Sequence, residues 1–357
     1  MKKVLITLDT PTGKGGLESA VARIAKMMME HNNYKVEVFM FDESREEQDY
    51  NWLSEIDFAT SHFAFSNHKI RRLHHAWNLA KNIRHYKPDI ILTLNTVSCL
   101  ISRLAIRFSR VKTPLISWIH LPPKPRYRPY YLMHADGHLA ISSEIKKQLV
   151  ELGAKPDAVS VVFNPVKPQS TFVERPVHTT KFLYIGRINF ELQKRIKDLL
   201  TACSLLSGHW SLDIIGDGQD RGQCENYAQS LGIDNNIHWH GWQASPWEYV
   251  ENNIHSASCL VQSSDYEGFP LILLEALSRG IFCIASDCIS GPGEIINDGV
   301  NGFLFPPRQT EKLAGKMQSI INGHALPPHT EIKNSVSQFY NDNFISGFNA
   351  ELMKWIK

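Results

Sequence analysis

Phe182-Leu183-Tyr184-Ile185-Gly186-Arg187 starts midway along the chain, an apolar β-type run closed by a glycine and a cation. It restarts a pattern already laid down once. Apolar runs at 4–8, 36–40, 90–94, 115–119 and 159–162 alternate with helical patterns in the first half. After 182–185 come runs at 212–215, 237–240, 259–261, 282–285 and 302–305, again with helices between. Strands alternating with helices specify a parallel sheet covered on both faces. Two such series predict two doubly wound domains. Pro165, Pro168 and Pro176, with lost periodicity over 164–178, mark the linker. The expected division is 1–166, 167–338, and a terminal segment 339–357 whose helix crosses back to the first domain. Ligands of such sheets bind at the strand carboxyl ends. Two facing domains would then share one cleft.

The chain of 357 residues exceeds a usual single domain, and 43% hydrophobic and 21% charged residues with net charge +2 describe an ordinary globular protein. The small net charge hides an asymmetry. Residues 1–167 carry 24 Lys/Arg against 16 Asp/Glu, and residues 168–357 carry 14 against 20. Between Lys69 and Arg128 there are 13 basic residues and one acid, Asp89. Arg71, Arg72, Lys124, Arg126 and Arg128 stand there among Tyr127, Tyr130 and Tyr131, cations and amphipathic aromatics that suit an anionic lipid boundary. A merely solvated basic face is the plain alternative. Nucleic acid would suit the charge, but no recognised nucleic-acid module appears.

The start Met1-Lys2-Lys3-Val4-Leu5-Ile6-Thr7-Leu8-Asp9 is too short in apolar residues for a secretory signal, and no later run approaches a membrane span. A cytoplasmic protein is expected. Six cysteines without a Cys-x-x-Cys pair read as reduced, partly buried thiols. His238 and His240 share a strand face but lack a third ligand, so no metal centre is expected.

Several strand ends carry residues suited to a polar ligand. Gly13-Lys14-Gly15-Gly16 follows the first strand and precedes a helix expected over 17–30, leaving helix N–H groups free. It is neither Gly-x-Gly-x-x-Gly nor a Walker loop, which weakens nicotinamide and P-loop readings. Gly186-Arg187 and Lys194 place two cations at one strand end, as a diphosphate requires, although Arg195 and Lys197 compete for the assignment. Gly216-Asp217-Gly218 allows close approach of chain to ligand, or simply a tight turn. His120 ends the run 115–119, where it could meet a sugar or only pack. Glu267-Gly268-Phe269-Pro270-Leu271-Ile272-Leu273-Leu274-Glu275 puts two carboxylates around a turn and a helix expected over 270–279. Leu271, Leu274 and Leu277 would face the sheet. Carboxylates accept from paired hydroxyls such as a ribose or sugar diol, but two glutamates at this spacing also arise by chance.

Taken together, Gly15-Gly16, His120, Gly186-Arg187, Lys194, Gly216-Asp217-Gly218 and Glu267 to Glu275 resemble the retaining GT-B glycosyltransferases of family 4. Closer still, Gln193 to Leu200, Gly241-Trp242-Gln243 with Pro246-Trp247, and Ser286 to Pro292 are similar to bacterial lipopolysaccharide core 1,6-galactosyltransferases. The resemblance implies an α/β, GT-B fold of two Rossmann-like domains, the first for acceptor and the second for nucleotide sugar. It implies that Arg187 and Lys194 bind the donor diphosphate and Glu275 the ribose. Glu267 with Gly268, Phe269 and Pro270 would hold the donor sugar and phosphates, with His120 contacting the sugar and Gly15-Gly16 opening the acceptor side. Gly186, Gly216 and Gly218 join the donor-binding set, and His120, Arg187, Lys194 and Glu267 the catalytic one. Many members place the lysine five residues after the arginine and follow it with glycine, whereas here the gap is seven and Arg195 follows.

The implied reaction moves a hexose, galactose to a 6-hydroxyl as best guess, from a UDP-sugar to the lipopolysaccharide core. It needs no cofactor, and without an Asp-x-Asp pair no metal. The expected partners are UDP-galactose, the core acceptor and the anionic inner face of the cytoplasmic membrane, where the protein would sit peripherally. No nucleic acid is expected. An epimerase, a phosphorylase and a catalytically inert nucleotide-sugar sensor are the rival readings.

Overall fold

The structure is a computed structural model, and it describes residues 1–11, 16–32, 34–42, 49–62 and 67–356. The chain forms two compact units, one of residues 1–165 with 341–357, the other of residues 166–340.

The first unit holds a seven-stranded sheet of β1 (Lys2–Asp9), β2 (Tyr34–Phe41), β3 (Asp57–Ser61), β4 (Ile90–Thr93), β5 (Leu115–Ile119), β6 (Gly137–Ala140) and β7 (Val159–Val161). The spatial order is β3-β2-β1-β4-β5-β6-β7, with every pair parallel. β4 and β5 are buried at every position, which is why they read as unbroken apolar runs rather than alternating ones. β3 and β6 add two strands to the five expected. The helix Gly16–Asn32 runs longer than the expected 17–30. The helix His68–Tyr86 starts at Asn67, whose side chain accepts from the Lys69 and Ile70 amides, and stops at Lys87 in the left-handed conformation.

The final helix, Asn341–Met353, belongs to this first unit. The Tyr34 hydroxyl donates to Asn349 Oδ1 at 2.7 Å, and the Phe348 ring lies 5.5 Å from that of Trp118. Trp355 lies so close to Gly137 that a Cβ there would come within 2.2 Å of its ring.

The second unit holds β8 (Thr180–Ile185), β9 (Trp210–Ile215), β10 (Ile237–Gly241), β11 (Cys259–Gln262), β12 (Phe282–Ser286) and β13 (Gly302–Phe305). Their order β10-β9-β8-β11-β12-β13, all parallel, reverses direction between β8 and β11. Such a reversal opens a crevice at the carboxyl ends of its two central strands. Gly186-Arg187 leaves β8 at that end, and the segment carrying Glu267 leaves β11 beside it. All six cysteines are buried and free, more deeply placed than expected.

Candidate functional site

Glycine is demanded first at the ends of β8 and β9. A Cβ on Gly216 would fall 1.9 Å from the Gly186 carbonyl oxygen, and one on Gly218 would fall 2.1 Å from that of Ile188. Backbone bonds hold the loops in this contact: Gly186 N to Ile215 O at 3.0 Å, Ile188 N to Asp217 O at 3.0 Å and Gly216 N to Gly241 O at 2.8 Å. Gly216 and Gly218 therefore bring chain against chain, where ligand approach was expected. The Tyr184 hydroxyl donates to the Arg187 carbonyl at 2.7 Å. The Arg187 side chain is exposed, and it meets no partner among the described residues.

The loop after Arg187 gives each of its three cations a different carboxylate. Arg195, left-handed at φ 52°, makes a two-pronged ion pair with Asp198 at 2.8 and 2.9 Å. Lys197 pairs with Glu191 at 2.6 Å. Lys194 alone of the three reaches Glu267, at 2.7 Å from Nζ to Oε1. The segment is fixed from below by the Ser263 hydroxyl, which donates to the carbonyls of Lys194 and Arg195 at 2.9 and 3.2 Å. Asp265 N donates to Gln193 O, and Gln193 Nε2 donates to Tyr266 O. Glu267 is 7% exposed and also accepts from Gln262 Nε2 at 3.2 Å. A polar group so buried needs such hydrogen-bond partners.

The turn that follows is clamped from the β12 side. Ser290 Oγ donates to Gly268 O at 2.6 Å, and Gly291, at φ 94°, admits Pro270 and Phe269 at distances that exclude a side chain. Phe269 is buried edge-on to Phe339, so its ring serves the core, and only its backbone is available to a donor. Pro270 caps the helix Leu271–Leu277 rather than opening its first turn. Leu273, Leu274 and Leu277 are its buried leucines, whereas Leu271, expected toward the sheet, is half-exposed. Glu275 is half-buried and accepts from Trp247 Nε1 at 2.9 Å. Trp247 lies under the Arg279 guanidinium at 4.4 Å. Trp247 stood in the sequence only as part of a resemblance, because no local pattern ties it to a carboxylate 28 positions on.

In the first unit, His120 follows β5 and is 9% exposed, its ring 4.6 Å from Trp118. Its Nε2 has no partner among the described residues, and burial lowers its pKa to about 3, so the imidazole is neutral. Gly16 opens its helix in free space, while Gly13, Lys14 and Gly15 lie outside the described residues. The basic residues differ in their surroundings. Lys124 is neutralised by Glu151, whereas Arg72 and Arg128 share the rings of Tyr127 and Tyr131. Among the described residues no group of three or more His, Cys, Asp or Glu side chains is placed to hold a metal ion. His240 instead meets Asp213 at 2.7 Å.

In the second unit Lys194 thus meets Glu267, with Arg187 at the end of β8 and Glu275 within the helix that follows the Glu267 loop. Residues 14–170 match Glycosyltransferase Family 4, and residues 168–335 match Glycosyl transferases group 1. The chain is 36% identical to a lipopolysaccharide 1,6-galactosyltransferase of Escherichia coli K12, over 96% of this chain and 95% of that one. It is 36% identical to the enzyme of the same name from Salmonella typhimurium LT2, over 97% of each. Among solved structures, the apo form of the lipopolysaccharide outer core galactosyltransferase WaaB superposes with a TM-score of 0.90 at 34% identity, covering 99% of both chains. The Anabaena HepE structure in complex with UDP shares the fold, with a TM-score of 0.80 at 17% identity, over 99% of this chain and 100% of that one. The chain is therefore a family 4 glycosyltransferase with the GT-B fold.

Proposed function

We propose that this glycosyltransferase moves galactose from UDP-galactose to a 6-hydroxyl of the lipopolysaccharide core, with retention and without a metal. One observation carries the reading: end-to-end identity of 36% to enzymes named lipopolysaccharide 1,6-galactosyltransferase. Arg187 and Lys194 neutralise the diphosphate. An ammonium has three donors, so Lys194 can keep its bond to Glu267 and still meet phosphate oxygens. Glu275 accepts from the ribose hydroxyls. Glu267 and the backbone of Gly268, Phe269 and Pro270 hold the galactose, with neutral His120 as a further hydrogen-bonding group.

In the reaction the bond between the anomeric carbon and the diphosphate oxygen breaks, while the acceptor oxygen bonds to that carbon from the same face. The acceptor proton passes to the departing diphosphate, and UDP leaves. Cations already oriented toward the developing charge stabilise this step without reorganisation. Gly15 and Gly16 are assigned to the acceptor side. Arg71, Arg72, Arg126 and Arg128, with Lys124 in a lesser role, are assigned to the acceptor or to the anionic inner face of the cytoplasmic membrane. No described helix is long and apolar enough to cross a membrane, and the proposed association is peripheral.

The test is incubation with a panel of UDP-sugars and truncated lipopolysaccharide acceptors in EDTA, following product mass and released UDP. Addition of one hexose from UDP-galactose is expected. Transfer from another donor alone would correct the sugar, and turnover abolished by EDTA would overturn metal independence.

A further inference from the structure

Resting on that reading, we propose that Arg72 and Arg128, set around the rings of Tyr127 and Tyr131, bind a phosphate monoester carried by the oligosaccharide acceptor. The two guanidiniums share both rings: Arg72 lies 5.5 Å from the Tyr127 centroid and 5.8 Å from that of Tyr131, and Arg128 lies 5.5 and 6.0 Å from the same two. Like charges gathered this closely repel, and a carboxylate normally relieves them. Among the described residues neither arginine has one.

Three other cations of this basic region are already engaged. Lys124 pairs with Glu151, Arg103 with Asp136, and Arg84 donates to the carbonyls of Phe108 and Ser109. What sets Arg72 and Arg128 apart is the pair of tyrosine rings they share. The cluster is also built rather than incidental. Thr96 Oγ1 donates to the Tyr127 carbonyl at 2.7 Å and anchors the loop to a helix start. Arg128 adopts a left-handed backbone, φ 50°, unusual outside glycine. It donates from Nε to the Tyr127 hydroxyl at 3.1 Å and from Nη1 to that of Tyr130 at 2.5 Å. Hydrogen bonds from Arg72 and Arg128 hold the Tyr127 phenol below its ordinary pKa.

Guanidinium groups match phosphate oxygens with paired N–H donors, and Arg128 uses only two of its five. Two cations balance a monoester, which approaches two negative charges at neutral pH. A phosphodiester headgroup carries one, so the charge count favours a phosphorylated glycan over a lipid surface.

The test is calorimetric titration with delipidated core oligosaccharide, before and after phosphatase treatment, at fixed ionic strength. The wild type is expected to bind the phosphorylated form at least tenfold more tightly. Arg72→Gln and Arg128→Gln should each remove that preference with UDP affinity unchanged, which reports an intact fold. Lys69→Gln removes an exposed charge from the same helix and should keep it. Three results overturn the assignment: no preference in the wild type, equal loss in Lys69→Gln, or Arg72- and Arg128-dependent binding to phosphatidylglycerol vesicles without response to the phosphorylated glycan. A phosphate preference in a protein that transfers no hexose supports the subsite and counts only against the transfer reading.

Discussion

The Lys194 ammonium lies 2.7 Å from the Glu267 carboxylate across 73 positions of sequence, with 20% and 9% of the two side chains exposed. The pair ties the loop after β8 to the loop after β11, the two strands between which the sheet order reverses. The pair holds the two loops together, and the proposed reaction adds an electrostatic role for the same ammonium.

Removing one partner of this pair should cost both properties. Lys194→Ala is expected to lower kcat by about 10²–10³-fold, the range for a lost oriented donor at a developing charge. It also strands a buried carboxylate, at a cost of about 3–5 kcal/mol. Lys194→Met combined with Glu267→Gln should recover most of the stability and none of the activity. Urea unfolding and initial rates separate the two, and a double variant regaining activity would refute the electrostatic role.

Trp247 and Glu275 allow a finer cut. Trp247→Phe keeps a ring under Arg279 but removes the N–H that holds Glu275 Oε2 at 2.9 Å. The expected result is a fivefold to tenfold rise in KM for the UDP-sugar, about 1–1.4 kcal/mol, with kcat little changed. An unaltered KM would detach Glu275 from ribose binding.

What could be read in the sequence followed burial. The inner strands β4, β5, β11 and β12 announce themselves because both faces are covered. β3, with Asp57 and Phe58 exposed at its start, and β6, only Gly137-His138-Leu139-Ala140, carry too weak a pattern to stand out; pairing with neighbours makes them strands. Of the candidate site, the sequence displays residue types at strand ends and not their pairing. Lys194 could not be separated from Arg195 and Lys197, because the choice depends on a loop whose turn at Arg195 puts each of those two beside its own carboxylate.

Acid should unfold the first unit through its neutral histidines. Burial lowers the pKa of His120 to about 3 and of His75 and His138 to about 4, against 6.5 in an unfolded chain. His138 keeps one ring nitrogen 2.7 Å from the Ser117 hydroxyl. Below pH 6.5 the unfolded chain takes up protons that the folded one refuses. Stability is then full above about pH 6.5 and falls as pH drops toward 4, by up to about 1.4 kcal/mol per pH unit for each imidazole. Urea melts between pH 7 and pH 5 should show the slope, and His138→Gln should reduce it by about a third of the three-histidine contribution; an unchanged slope would contradict the assignment.

The thiols should be silent in the folded state. Burial raises the pKa of Cys99 and Cys224 to about 12, and raises those of Cys203, Cys259, Cys283 and Cys288 further. Only the thiolate reacts readily with a disulfide reagent. Native protein is expected to release no more than a trace of chromophore at pH 8, and protein in guanidinium six equivalents. Rapid native labelling would place a cysteine at the surface.

Two glycine-to-alanine changes contrast a tightly packed glycine with an open one. At Gly216 the new Cβ would meet the Gly186 carbonyl oxygen at 1.9 Å, a backbone atom held by the β8–β9 pairing and unable to rotate away. The residue also sits at φ 145°, where alanine is strained. Gly216→Ala should therefore separate the ends of β8 and β9, with a loss of at least about 2 kcal/mol and weaker UDP binding through displaced Arg187. At Gly16 nothing lies within 4 Å of the new atom, and the position opens a helix, so Gly16→Ala should be neutral or stabilising by about 0.5 kcal/mol. Thermal melts and UDP titrations of both variants check the contrast. Equal behaviour would mean that the loop-to-loop contact at Gly186 does not govern the site.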